Sequence, residues 1–316
     1  MSKNTKNREP LVVFDKKWFS EKDLKWSGKR ATIVAIYYSL PSNQNGGEGG
    51  GTNVIPQKII PWGSNADPRI YVSPYALKRR IRDYWVKKGK KVGFREDITL
   101  IKDPNEIEKE NESPIEYIDY DLFGYMSADK GSNKNAKARP GPITTWGAVS
   151  LEPYHSFIDF NTSVKHVGDT TEDSSKGGSI FNRLISKEFY FTSFFINPDL
   201  IGVDIVDGKQ ISDKKERLKD FLEGLEAAMQ KDTGGPRDRP ACVFIGITID
   251  NAKYPSSDKE LFKKIKIIED MVVINSLPKN MKVVKIDPTF VKLEEINEAN
   301  VDEIIDDLLS ESNGSQ

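Results

Sequence analysis

Few residues in this chain have types and spacing suited to covalent or metal chemistry. His155 and His166 stand eleven positions apart, not at the i, i+4 spacing that sets two imidazoles on one helix face around zinc. Asp119 and Asp121 alternate in a polar stretch, where acids ordinarily face water and not Mg²⁺. Cys242 is the single cysteine and sits inside the apolar run "ACVFIGITI". It reads as a small buried hydrophobe, and alone it excludes an internal disulfide or a cysteine-rich zinc site. The expectation is a protein with no catalytic residues, no metal and no cofactor, which is not an enzyme.

Electrostatic chemistry is better supplied. Between positions 78 and 95 stand Lys78, Arg79, Arg80, Arg82, Lys87, Lys88, Lys90, Lys91 and Arg95, with Asp83 the only acid. Such a density of cations is either a solvated helix face or a field that attracts polyanions in a salt-dependent way. Upstream, "LPSNQNGGEGGGTNVIP" (40–56) puts five glycines into six positions. Glycine offers positive-φ geometry and close backbone approach, so this stretch is either a linker or a cradle. A nucleotide P-loop is excluded, because no Lys-Ser/Thr pair follows the glycines.

The elements that must hold these residues follow from pattern. "ATIVAIYYSL" (31–40) is a strand buried on both faces. Ser73 as N-cap and Pro74 at the first helical position open a helix with Leu77, Ile81, Tyr84 and Trp85 on one stripe, leaving Lys78, Arg79 and Arg82 off it. Strands follow at 143–151 and 188–196, with an extended hairpin over 154–182 between them. A helix from Ser212 carries Leu218, Leu222, Leu225 and Met229, and "ACVFIGITI" closes the series as a strand. A helix over 258–274 and another from Asn300, with Val301, Ile304, Ile305, Leu308 and Leu309 as its stripe, complete the reading; that last stripe packs on the body or on a neighbouring subunit. The order strand, helix, strand, strand, helix, strand is the α+β, ferredoxin-like (RRM-like) βαββαβ plan with large insertions.

Bulk properties are consistent with this. With 37% hydrophobic and 30% charged residues among 316, the chain can bury one large core or two modest ones. Its apolar runs are too short to cross a membrane and its first residues, "MSKNTKNREP", carry no export signal, so a cytoplasmic protein is expected. Residues 291–316 carry a net charge of −7, leaving +6 on residues 1–290.

Four separated stretches, "SPYALKRRIRD" (73–83), "DLFGYM" (121–126), "RPGPITTWGAVSLEPY" (139–154) and "EFY" (188–190), with the Gly/Asn-rich loop before them, resemble the DevR-type backbone subunits of type I CRISPR effector complexes. These form the Cas seven family of the RAMP superfamily, and the likeness spans about residues 28–250, closest to the I-B or I-A branch. The resemblance implies a palm over residues 1–290, with finger and web insertions at about 41–70 and 86–140 and a β-hairpin thumb at about 154–186. An acidic C-terminal helix and tail follow at 291–316. It further implies a subunit that binds crRNA, stacks with further copies of itself into a helical filament beside other Cascade subunits, and presents the guide for pairing with target DNA.

Residue by residue, the resemblance lays Asn43, Gln44, Asn45, Gly46, Gly47, Gly49 and Gly50 along the RNA. Ser73, Lys78, Arg79 and Arg82 clamp its phosphates, with Arg139 near the thumb base, and Phe157, Phe160 and Val164 are thumb wedge candidates that instead pack inside the hairpin in the other reading. "DLFGYM" is expected to be structural, with Leu122, Phe123 and Met126 in the core and Gly124 permitting a close approach. Two alternatives stand beside this. An RNA-cleaving type III-like subunit would need an aspartate in the loop after the first strand, where 40–56 has only Glu48. A free-standing single-stranded RNA-binding regulator would show sequence preference and no filament.

Overall fold

The computed structural model describes residues 28–39, 45, 57–61, 67–94, 104, 107, 112–127, 137–154, 160–163, 180–183, 189–204, 209–211, 213–229, 241–250, 256–296 and 298–310. In chain order the strands used below are β1 (Arg30–Tyr38), β2 (Lys58–Ile59), β3 (Arg69–Val72), β4 (Gly124–Ser127), β5 (Lys137–Pro140), β6 (Ile143–Ser150), β7 (Phe160–Ser163), β8 (Ile180–Arg183), β9 (Phe189–Ile196), β10 (Ala241–Asp250), β11 (Ile265–Ile268), β12 (Met271–Ile274), β13 (Met281–Ile286) and β14 (Val291–Leu293). The helices are α1 (Pro74–Lys87), α2 (Ile118–Phe123), α3 (Lys214–Met229), α4 (Ser257–Lys264) and α5 (Val301–Leu309).

The run "RATIVAIYY" builds β1, an interior strand of a seven-stranded antiparallel sheet of order β13-β10-β1-β9-β6-β3-β2. A strand's alternation divides its side chains between two layers. Ala31, Ile33, Ala35 and Tyr37 pack under Leu77, Ile81 and Trp85 of α1, Leu218, Leu222 and Leu225 of α3, and Ile304 and Leu308 of α5. Val34 and Ile36 pack with Leu261 of α4 and with Val272, Ile274 and Val291 of a small sheet of order β11-β12-β14. Burial on both sides is why the segment reads as a continuous apolar run and not as an alternating one.

Both edges of the large sheet are blunted. β2 is two residues long. On the outer side of β13, the Val283 carbonyl accepts from the Ala299 N–H at 3.1 Å, and Lys285 pairs with Glu226.

Helix α5 packs on the body. Asn300 caps it by accepting from the Asp302 N–H (2.9 Å), Ile304, Ile305 and Leu308 are buried, and its acids meet cations of the body: Asp306 with Lys215 (2.6 Å), Asp302 with Lys219 (2.5 Å) and Asp307 with Lys29 (2.9 Å). β7 and β8 pair antiparallel from Phe160↔Arg183 to Ser163↔Ile180, inside the stretch expected to form a hairpin. Phe157 and Val164 lie outside the described residues, and only the backbone of Phe160 is described.

Two expectations are corrected. The helix expected over 258–274 ends at Lys264, and "IKII" and "MVVI" pair as β11 and β12 around Glu269 and Asp270, whose φ values are 50° and 60°. β-branched residues suit a ladder better than a helix, and positive φ at both central residues is what a two-residue hairpin turn requires. Met126 is 78% exposed, not core. Helix α2 stops at Gly124, and alternation along β4 then turns Tyr125 inward and Met126 outward. Leu122 and Phe123 are buried as expected. Among the described residues no helix is long and apolar enough to cross a membrane.

Candidate nucleic-acid interface

Local sequence dictates the placement of α1. The Ser73 hydroxyl accepts from the Ala76 N–H at 3.2 Å, and Pro74 occupies a first-turn position where its missing N–H is not needed. Leu77, Ile81 and Trp85 are buried, and the Trp85 indole N–H donates to the Asp220 carbonyl of α3 at 2.8 Å. With that stripe fixed inward, positions 75, 78, 79 and 82 share the i, i+3, i+4, i+7 spacing of another face. They are Tyr75, Lys78, Arg79 and Arg82.

Asn45 ties the glycine-rich stretch to the start of this helix. Its side-chain carbonyl accepts from the Ser73 N–H at 2.7 Å and its amide donates to the Tyr71 carbonyl at 3.0 Å. The residue therefore brackets the β3–α1 junction. Asn43, Gln44, Gly46, Gly47, Gly49 and Gly50 lie outside the described residues.

Arg82 is oriented on three sides. Its Nε donates to Asp119 Oδ2 at 3.0 Å, and its guanidinium carbon lies 5.2 Å from the Phe123 ring centroid and 5.1 Å from that of Phe94. Asp119 is fully buried and also accepts from the N–H groups of Gly93 (2.7 Å) and Phe94 (2.9 Å). A Cβ at Gly93 would overlap the Tyr120 ring, so only glycine lets that turn reach the carboxylate. Nε is thus anchored on the carboxylate, and with 15% of the side chain exposed the guanidinium keeps a narrow edge at the surface, where a planar fork suits a phosphate.

Lys78 places its ammonium 4.9 Å from the Phe123 centroid. Burial, with repulsion from Arg82 second, pulls it from its ordinary 10.5 down to about 8. Arg79, one residue on, is exposed. The face thus mixes one desolvated cation, one oriented fork and one exposed cation beside Tyr75, which is 82% exposed.

Arg139, expected among the phosphate contacts, is buried, with 2% of the residue exposed. Its Nε donates to the Val203 carbonyl (3.0 Å), Nη1 to the carbonyls of Tyr120 (2.9 Å) and Asp121, and Nη2 to Asp121 Oδ1 (2.9 Å) and the Leu200 carbonyl (2.8 Å). Every nitrogen of the fork meets a protein acceptor, which removes it from the surface. Gly124 makes room for this: it has φ 81°, and a Cβ there would lie 2.5 Å from the Arg139 carbonyl oxygen. Asp121 completes the knot by accepting from the Gly202 N–H at 2.9 Å.

Asp119 and Asp121 are therefore buried hubs for N–H groups and guanidinium ions, not the solvated acids the sequence suggested. His155 and His166 lie outside the described residues. Cys242 is buried in β10, and burial pushes its thiol up to about 12. Among the described residues no group of three or more His, Cys, Asp or Glu is arranged to hold a metal ion.

Sequence reasoning missed Tyr75, Phe94 and Phe123 as neighbours of the cations. Tyr75 was legible, because it precedes Lys78 and Arg79 by three and four positions. Phe94 and Phe123 reach Arg82 only through tertiary structure.

Residues 78–256 match the model of a family described as CRISPR-associated negative auto-regulator DevR/Csa2. No curated protein matches the chain. A chain of a solved CRISPR RNA-guided surveillance complex is 16% identical, with a TM-score of 0.44, covering 74% of this chain and 74% of that one. A chain of a CRISPR RNA-guided surveillance complex in a pre-nicking state is 14% identical, with a TM-score of 0.46, covering 74% of this chain and 81% of its own length.

Proposed function

Because the chain belongs to the DevR/Csa2 family of CRISPR-associated proteins, we propose that it is a non-enzymatic backbone subunit of a type I surveillance complex, of the I-B or I-A branch, which binds crRNA. Copies line up along the guide, which pairs with target DNA while the protein grips sugar and phosphate. One observation carries this reading: Lys78, Arg79 and Arg82 share one helix face, and Arg82 is held by Asp119 beside Phe94 and Phe123 with an edge of its side chain still at the surface. Contacts of that kind bind any guide sequence equally, as a backbone subunit must.

The palm is read as ferredoxin-like. The strand order β10-β1-β9-β6, with α1 and α3 packed on one face, supports a βαββαβ unit carrying β2, β3, the β4–β5 hairpin and the β7–β8 thumb as additions. The family description names a negative auto-regulator, and the second reading is a free-standing single-stranded RNA-binding regulator.

Co-expression with a repeat-spacer transcript and its processing partners, followed by purification and sequencing of the bound nucleic acid, separates the two. The backbone role gives discrete RNAs with repeat-derived ends and arbitrary spacers. Heterogeneous cellular RNAs sharing a motif would establish the regulator instead, and shortened target RNA after challenge would establish a ribonuclease.

A further inference from the structure

Single-strand binders built on RRM-like sheets commonly stack bases on aromatic residues of an open sheet face. Among the described residues β1 is buried under helices on one side and under α4 and the small sheet on the other. The aromatic groups that reach solvent near the cations are elsewhere. Tyr75 is 82% exposed in the first turn of α1, and Phe94 is 40% exposed against Arg82.

An isolated exposed tyrosine is unremarkable on a protein surface, but the neighbours of Tyr75 restrict what it can meet. On its own helix face the adjacent positions are Lys78 and Arg79. An apolar protein partner covering the ring would also have to cover the exposed Arg79 beside it. A nucleotide places a flat π surface and a phosphate within one repeat of its backbone, and so satisfies ring and cations together.

Resting on the RNA-binding reading above, the geometry points to Tyr75 as a stacking platform: one base of a single-stranded RNA lies on its ring while Lys78 and Arg79 hold the adjoining phosphates. Stacking has no preference for base edges, so the contact tolerates any guide sequence. It fixes where along each subunit one nucleotide sits, which phosphate contacts alone leave free to slide.

The test uses the purified full-length chain and a short oligouridylate carrying a single fluorescent purine analogue, moved along the oligomer. Stacking quenches the analogue at one position. Tyr75→Ala is expected to abolish that quench and weaken binding about 5- to 150-fold, the range for loss of one stacked base, with the salt dependence unchanged. Tyr75→Phe is expected to keep both quench and affinity, because the ring remains. Arg79→Ala is expected to keep the quench and flatten the salt dependence.

RNA binding with normal salt dependence but no quench at any position overturns the platform and leaves the RNA-binding reading intact. So does a Tyr75→Phe chain that loses as much as Tyr75→Ala, which would make the contact a hydroxyl hydrogen bond. Undiminished RNA binding by Tyr75→Ala, together with loss of association between copies, would make Tyr75 a subunit contact. A wild-type chain that binds no RNA overturns both readings.

Discussion

Arg82 and Arg139 carry the same side chain to aspartates two positions apart on one short helix, Asp119 and Asp121, and end in opposite states. Asp119 and Asp121 are both fully buried, so the carboxylates do not make the difference. The number of other acceptors does. Around Arg139 the carbonyls of Tyr120, Asp121, Leu200 and Val203 converge and occupy the whole guanidinium. Around Arg82 the other described neighbours are the rings of Phe94 and Phe123 and the ammonium of Lys78, none of which accepts a hydrogen bond as a carbonyl does. Converging acceptors make Arg139 a structural rivet; aromatic neighbours leave Arg82 suited to the binding role proposed for it.

The largest expected effect breaks the rivet. Arg139→Ala leaves Asp121 buried without its main counter-charge and should cost about 3–5 kcal/mol in urea unfolding, with most of the chain lost to insoluble material. Arg139→Lys should recover little, because an ammonium cannot reproduce the fork. A stably folded Arg139→Ala chain with weakened RNA binding would return Arg139 to the interface.

Arg82→Ala should behave differently. Asp119 keeps the Gly93 and Phe94 N–H groups, so unfolding should shift by about 1–3 kcal/mol. RNA affinity should drop for all sequences alike, with the salt slope reduced by about 0.7, the value for one contact on a single strand. The paired change of Lys78 and Arg79 to Ala should likewise weaken all RNAs similarly, lowering the slope by about 1.4 with stability nearly unchanged. Selective loss for some sequences in either variant would contradict a backbone grip.

The smallest effect is in pH. Lys78 has a folded value of about 8 against an ordinary 10.5, so the unfolded chain binds that proton more tightly. The charged form opposes folding fully below about 8, and the penalty fades as pH rises toward 10.5. Phosphate contact needs the cation, so wild-type RNA affinity should fall as pH climbs through about 8, while Lys78→Arg stays flat over the same interval.

Much of the fold was legible because its signals are local. Ser73-Pro74 fixed the start of α1, the stripe of α3 reappears as buried residues, and those of α1 and α5 do so except for the partly buried Tyr84, Val301 and Leu309. The β11–β12 hairpin was missed because its turn is Glu269-Asp270, without the Asn-Gly or Asp-Gly that usually marks positive φ. The site was less legible. Arg82 and Arg139 look alike in sequence, and what separates them is supplied from far away: Leu200 and Val203 lie 61 and 64 positions from Arg139, and Asp119 lies 37 from Arg82. Cation spacing located the face, but only tertiary contacts tell which members of it are already occupied.

The edges of the large sheet bear on crowding. A chain proposed to stand copy beside copy holds its neighbours at a local concentration where exposed strand edges would fuse from one subunit into the next. β2 offers two residues, too few to template a partner, and β13 has its central carbonyl capped by Ala299 with Lys282 and Lys285 beside it. Among the described residues, neither edge of the large sheet offers a long open ladder to a neighbour. In the proposed array, copies with such edges should come off an RNA one at a time, where a continuous cross-subunit sheet would make the array an irreversible fibre.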